Sequence, residues 1–376
     1  MSIAERITSS GPKKILALDG GGIRGIITVE MLAAIEDLLR RKLDRGEDFV
    51  LADYFDFVAG TSTGAIIAAC IALGMDMGSI RDFYVSSGRD MFEKAPWSKR
   101  VQYKFTEECL AGKMKATFGE STTLGSNKLR TVLMMVMRNA TTDSPWPLSN
   151  NPFAKYNLPE RRNKPYYDCN LDFPLWQLVR ASTAAPVYFP PEVITMGTNA
   201  FVFVDGGITT YNNPAFHAFL MATVEPYNMN WRTGEDELLV VSLGTGSNAQ
   251  ANRNLEPSEM NILYNATSIP SALMTAALHE QDFLCRVFGN CLAGEVIDRE
   301  VWDMIGKSGP VSPKHFTYLR YNADLSQEGL HTLGLGDIEP RHVQKLDSVD
   351  HIRDLQRIGK ALANFKLREE HFARFL

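Results

Sequence analysis

Twice within the first 75 residues an apolar run ends in glycine and passes without a break into helical periodicity. KKILALDG (13–20) leads into GIITVEMLAAIEDLLRRKL, where Met31, Leu32, Ile35, Leu38 and Leu39 share one helix face. YFDFVAG (54–60) leads into AIIAACIALGM, which is apolar all round and therefore reads as a buried helix. Two strand-loop-helix units in succession predict an α/β fold with a mainly parallel sheet and right-handed crossovers. Later strand candidates are AFVFVDGG (200–207), ELLVVSLGTG (237–246) and HFTYLRYN (315–322), with helical patterns in LWQLVRAS, PAFHAFLMATV and SALMTAALHEQDFLCRVF. Their apolar runs are continuous rather than alternating, so the sheet is expected to be covered on both faces.

The organisation expected is a flexible tail over 1–12 and one domain over 13–376. Within it, 94–165 reads as a lid or insert and 347–376 as a helical terminal segment. At 376 residues and 45% hydrophobic content, the chain can bury a large core. A formal net charge of −5 supplies no global basic field, which removes a nucleic acid polymer from the expected partners. No signal-like apolar core opens the chain and no run approaches the roughly 18 residues of a spanning helix, so the protein reads as cytoplasmic. Five cysteines without CxxC spacing read as reduced thiols rather than a disulfide framework or a zinc site. HExxH is absent and no carboxylate cluster has ligand spacing, so neither metal nor cofactor is expected.

GTSTG (60–64) buries one serine among tiny and apolar residues. Gly60, Ser62 and Gly64 fit GxSxG, the sharp strand-to-helix turn that presents a nucleophilic hydroxyl while the helix start adds positive potential. The residues two before and two after the serine approach so closely that side chains there would clash. LDGGGIRG (18–25) supplies an anion-stabilising pocket: the amides of Gly21 and Gly22 can face one cavity, with the fixed charge of Arg24 beside them. Gly20, Gly22 and Gly25 also match the dinucleotide pattern GxGxxG, but its acidic residue at the end of the second strand is replaced by Gly60, Thr61 and Ser62. VDGG (204–207) sets Asp205 between an apolar strand and Gly206 and Gly207, either as an ordinary Asp-Gly turn residue or as the acceptor of the Ser62 proton. The strand ends near 19, 60 and 205 are expected along one edge of a parallel sheet. His217, on an apolar helical stretch, reads as a core or surface histidine, and Asn212 and Asn213 as residues that fix the loop after Asp205.

In this order, DGGGIRG (19–25), GTSTG (60–64) and DGG (205–207) resemble the patatin-like phospholipase family. RASTAAPVYFPP (180–191), NNPA (212–215) and SLGTG (242–246) extend the resemblance over roughly 13–365. It implies a three-layer α/β/α sandwich and metal-free hydrolysis of fatty-acyl esters. It also implies Ser62 as nucleophile and Asp205 as base, a dyad without histidine, with Gly21, Gly22 and Arg24 at the oxyanion hole. Membrane phospholipids become the expected substrates.

A base role for Asp205 carries a tension, because a free carboxylate is a weak base and Arg24 nearby would weaken it further. Burial, and separation from Arg24, are expected to keep it basic enough. MFEKAPWSKRVQYKF (91–105) interleaves aromatic and basic residues and is a candidate membrane-docking segment. Some bacterial relatives in the family are switched on by cyclic dinucleotides made during phage infection, so such a nucleotide is a candidate activator and antiphage defence a candidate setting. Homo-oligomerisation is another candidate control. The alternatives to an enzyme are a lipid-binding or storage protein that retains the site, and a receptor whose response is conformational.

Overall fold

The structure is a computed structural model that describes residues 1–91, 107–161, 169–247, 260 and 262–376. Its strands are β1 (Lys13–Leu18), β2 (Phe57–Thr61), β3 (Val132–Asn139), β4 (Ser144–Ser149), β5 (Glu192–Met196), β6 (Asn199–Asp205), β7 (Leu238–Leu243), β8 (Asn290–Ala293) and β9 (Thr317–Tyr321). Helices α1 (Ile3–Thr8), α2 (Gly25–Lys42), α3 (Leu51–Tyr54), α4 (Thr63–Ala72), α5 (Met77–Met91) and α6 (Glu107–Phe118) belong to the first half. The second half adds α7 (Leu175–Ser182), α8 (Ala215–Thr223), α9 (Ile262–Phe288), α10 (Gln327–Thr332), α11 (Pro340–Val343) and α12 (Ile352–Lys366).

One sheet runs in the order β5-β6-β3-β2-β1-β7-β9-β8, with β4 paired to β3. The six strands from β3 to β8 in that order are mutually parallel. Alternate residues feed two cores. Ile15, Ala17, Phe57, Ala59, Met134 and Val240 pack under α8 and the N-terminal residues, whereas Leu16, Leu18, Val58, Met135 and Val241 pack under α2, α4, α7 and α12. This is the three-layer α/β/α sandwich, and both sheet faces are buried because neither strand face carries a polar stripe.

Three features differ from the sequence reading. The opening residues are not a flexible tail. Ser2 and Glu5 form a capping box on α1, Ile7 is buried, and its carbonyl accepts the Trp231 indole N–H at 3.0 Å. The interval 94–165 is not simply a lid, since it supplies α6, β4 and the buried core strand β3. VLMMVMRN owes its strand state to position, because methionine-rich runs lack the β-branched signal. Finally, β6 is antiparallel to β3. The candidate docking segment at 91–105 lies outside the described residues beyond Met91.

Candidate active site

The register brings the sequence motifs to one edge. Leu18 lies opposite both Gly60 and Leu243, so Asp19, Ser62 and Gly244 leave the sheet side by side. With β2 on one side of β1 and β7 on the other, this edge is a switch point of the kind that forms α/β ligand sites. Asp205 reaches the same edge from the opposite direction, since antiparallel β6 ends opposite Met137, one step past the Thr61–Val136 pairing.

Ser62 caps the start of α4 with φ 55° and ψ −122°, a left-handed conformation that costs a non-glycine residue about 1–3 kcal/mol. The crowding explains GxSxG: a Cβ on Gly60 would stand 2.1 Å from the Gly64 carbonyl oxygen, and one on Gly64 2.2 Å from that of Leu18. Ser182, buried at the end of α7, pins the strained turn. Its Oγ accepts the Ser62 N–H at 3.0 Å and donates to the Val136 carbonyl at 2.5 Å. Tyr84 ties the helix start through its hydroxyl, which donates to the Thr63 carbonyl at 3.0 Å and shares a hydrogen bond with Thr63 Oγ1 at 2.6 Å.

Ser62 Oγ donates to Asp205 Oδ2 at 2.6 Å, and the other carboxylate oxygen accepts the Gly207 N–H at 2.6 Å. Asp205 is 4% exposed. Burial raises its pKa to about 6, although the bonds from Ser62 and Gly207 and the charge of Arg180 pull it down. The hydrogen bonds of Arg24 go to main-chain carbonyls and not to the Asp205 carboxylate. Arg24 aims its guanidinium at the carbonyl oxygens of Gly21 and Gln344, at 3.5 and 3.3 Å, and the cation acting on Asp205 is Arg180. Burial lowers the Arg24 pKa to about 10, which leaves it charged at neutral pH.

The glycine loop follows β1. Gly22 has φ +59°, and a Cβ there would strike the Leu346 carbonyl at 2.3 Å, so this position needs glycine twice over. The Ile23 N–H donates to that carbonyl at 2.9 Å. Thr245 of SLGTG fixes the loop from the other side by donating to the Gly20 carbonyl at 2.9 Å. Gly25 lies against Thr63, and Gly206 against the Val136 carbonyl. Among the described residues the amides of Gly21 and Gly22 have no acceptor. Gly20–Gly22, Arg24, Ser62, Asp205 and Gly207 all line one cavity of about 1570 Å³, larger than the roughly 300–1,000 Å³ of a drug-sized pocket.

Other contributors were not visible in the sequence. Asp19, the first residue of the glycine motif, forms a buried two-pronged ion pair with Arg320 of β9, at 3.0 and 2.5 Å, and Arg320 also donates to Ser242. Nothing local marks Arg320 as a partner 301 positions away, and Ser182 is equally unmarked. His217 is not among the residues lining the cavity, and its ring lies tilted against that of Tyr211. Its Nε2 lacks a hydrogen bond among the described residues, and burial lowers its pKa to about 4. No group of three or more His, Cys, Asp or Glu able to hold a metal occurs among the described residues.

A family model for the patatin-like phospholipases matches residues 16–219, which contain the glycine loop, the elbow and Asp205. The chain belongs to the patatin-like phospholipase family. That membership places it among the lipid acyl hydrolases. It is 28% identical to Patatin-2-Kuras 4 of Solanum tuberosum over 324 residues, 76% of this chain and 81% of the potato protein. It is 30% identical to the 85/88 kDa calcium-independent phospholipase A2 of Mus musculus over 252 residues, 63% of this chain and 27% of the mouse protein. Among solved structures, that of VipD from Legionella pneumophila aligns over 93% of this chain and 67% of VipD, with a TM-score of 0.39 and 15% identity.

Proposed function

We propose that this patatin-like protein cleaves fatty-acyl esters of membrane phospholipids, a phospholipase A type reaction, through a Ser62–Asp205 dyad. The observation that carries the reading is the 2.6 Å hydrogen bond from Ser62 Oγ to a buried carboxylate, beside two main-chain amides that have no acceptor among the described residues. Asp205 accepts the Ser62 proton as Oγ attacks the ester carbonyl. The amides of Gly21 and Gly22 hold the resulting oxyanion, each donor being worth roughly 10²- to 10³-fold in rate. Collapse expels the lysolipid alkoxide, which takes the proton back from Asp205. Water then attacks the acyl-enzyme with Asp205 again as base, releasing fatty acid and free serine.

A pKa near 6 suits this work, because Asp205 is ionised at neutral pH yet more basic than a solvated carboxylate. Among the described residues no helix is long and apolar enough to cross a membrane; peripheral association with the bilayer surface is part of the proposal.

The test is incubation with vesicles of defined phospholipids, with products identified by mass spectrometry, for wild type, Ser62→Ala and Asp205→Ala. Expected are fatty acid plus lysolipid from wild type and a loss of at least about 10³-fold in each variant. Hydrolysis at the wild-type rate by both variants would overturn the dyad. Lipid binding without any release would favour the storage alternative. A parallel arm with cyclic dinucleotides tests the activator expected from the family resemblance, since a rate increase supports it and unchanged rates remove it.

A further inference from the structure

NNPA places two asparagines after Asp205, and they do different work. Asn213 Oδ1 accepts the Ala215 N–H at 3.0 Å and the Ser242 hydroxyl at 3.3 Å, so its side chain builds the turn. The Asn212 main chain anchors the glycine loop, its carbonyl accepting the Gly20 N–H at 3.2 Å. Its side chain does neither. Asn212 is 3% exposed and lines the dyad cavity, yet Oδ1 finds no donor among the described residues. A buried acceptor left without a donor is destabilising. The turn does not require that cost, because Asn213 already caps it.

The carboxamide is wedged between the two glycines that flank the dyad. A Cβ on Gly20 would stand 2.3 Å from Asn212 Oδ1 and 3.2 Å from Ser62 Cβ. One on Gly207 would stand 3.2 Å from Asn212 Oδ1 and 2.9 Å from Asp205 Oδ1. The oxygen is therefore seated against two Cα–H groups, a weakly favourable contact for an acceptor and an unfavourable one for an NH2. This leaves the NH2 as the end that meets the cavity.

We infer that Asn212 is a further catalytic residue, whose Nδ2 donates to the ester carbonyl oxygen as it becomes the oxyanion, alongside the amides of Gly21 and Gly22. A neutral amide suits that position. It strengthens its hydrogen bond as negative charge develops and, unlike a cation, leaves Asp205 free to act as base. The inference rests on the Ser62–Asp205 reading, because the oxyanion exists only once Ser62 has attacked.

The experiment compares Asn212→Ala and the isosteric Asn212→Leu with wild type on p-nitrophenyl butyrate. It also measures affinity for a trifluoromethyl ketone, which forms a tetrahedral adduct with the nucleophile. Expected is a fall in kcat of roughly 10²-fold with KM within about threefold, and weakening of the ketone by a similar factor, while the melting temperature of the Leu variant stays near wild type. The inference is overturned if kcat stays within about threefold of wild type, if only KM rises, or if kcat falls with ketone affinity unchanged, the mark of a purely structural role. Ser62→Ala is the control. Full activity in that variant defeats the dyad itself, whereas an inert Ser62→Ala beside a fully active Asn212→Leu defeats only the role of Asn212.

Discussion

In the proposed reaction Asp205 is suited to act as a base because burial disfavours its charge. Its pKa of about 6 against an ordinary 3.8 means that between about pH 4 and 6 the folded chain holds a proton there which the unfolded chain has already lost. On the acid side kcat/KM should therefore fall with an apparent pKa near 6, a limb measurable with p-nitrophenyl butyrate between pH 4.5 and 8, a window of about two units around it. The same shift sets a stability trend. Stability falls as pH rises from about 4 to 6, where unfolding releases the retained proton, and above about 6 the ionised buried carboxylate costs the fold up to about 3 kcal/mol relative to pH 4. Asp205→Asn should thus be inactive but more stable than wild type at pH 8, with the advantage fading toward pH 4, as urea melts at the two pH values would show. Ser182→Ala removes the acceptor of the Ser62 N–H while leaving the dyad chemistry in place. Activity should drop about tenfold through kcat, and Ser182→Thr, which keeps the hydroxyl, should restore most of it.

Among the elements, β1, β2 and α4 were legible because each is a contiguous apolar segment punctuated by glycine. Strand β3 was not, since its methionines and flanking polar loops obscure the pattern. The direction of β6 was equally hidden: VFVD reads as a strand either way, and only the chain path decides which way it enters. Asp205 still meets Ser62 because the register with β3, not strand polarity, sets its height. The Asp19–Arg320 pair joins β1 to β9 beneath the glycine loop and had no sequence signal. Arg320→Met strands a buried carboxylate and should destabilise by about 3–5 kcal/mol, whereas Asp19→Asn combined with Arg320→Met should recover a large part. Equal losses for the single and double variants in chemical denaturation would remove that pairing from the account.

At the scale of the whole molecule, motifs near 20, 62, 205 and 245 become one cavity because the sheet order sets β1 between β2 and β7. Helix α1 lies far from this edge in function, although it docks through Ile7, Trp231 and the Arg6–Asp56 ion pair. Deleting residues 1–8 should lower the melting temperature by several degrees, about 4 °C per kcal/mol or less for a chain of this size, with kcat unchanged. The claim on which everything else depends is that an acyl group passes through Ser62. It is tested by quenching wild type during turnover of a slow acyl ester and mapping the acylated peptide by mass spectrometry. The account predicts acylation on the segment carrying Ser62, and its absence together with loss of fatty-acid release in Ser62→Ala. Acyl label on another residue, or undiminished release from Ser62→Ala, would contradict it.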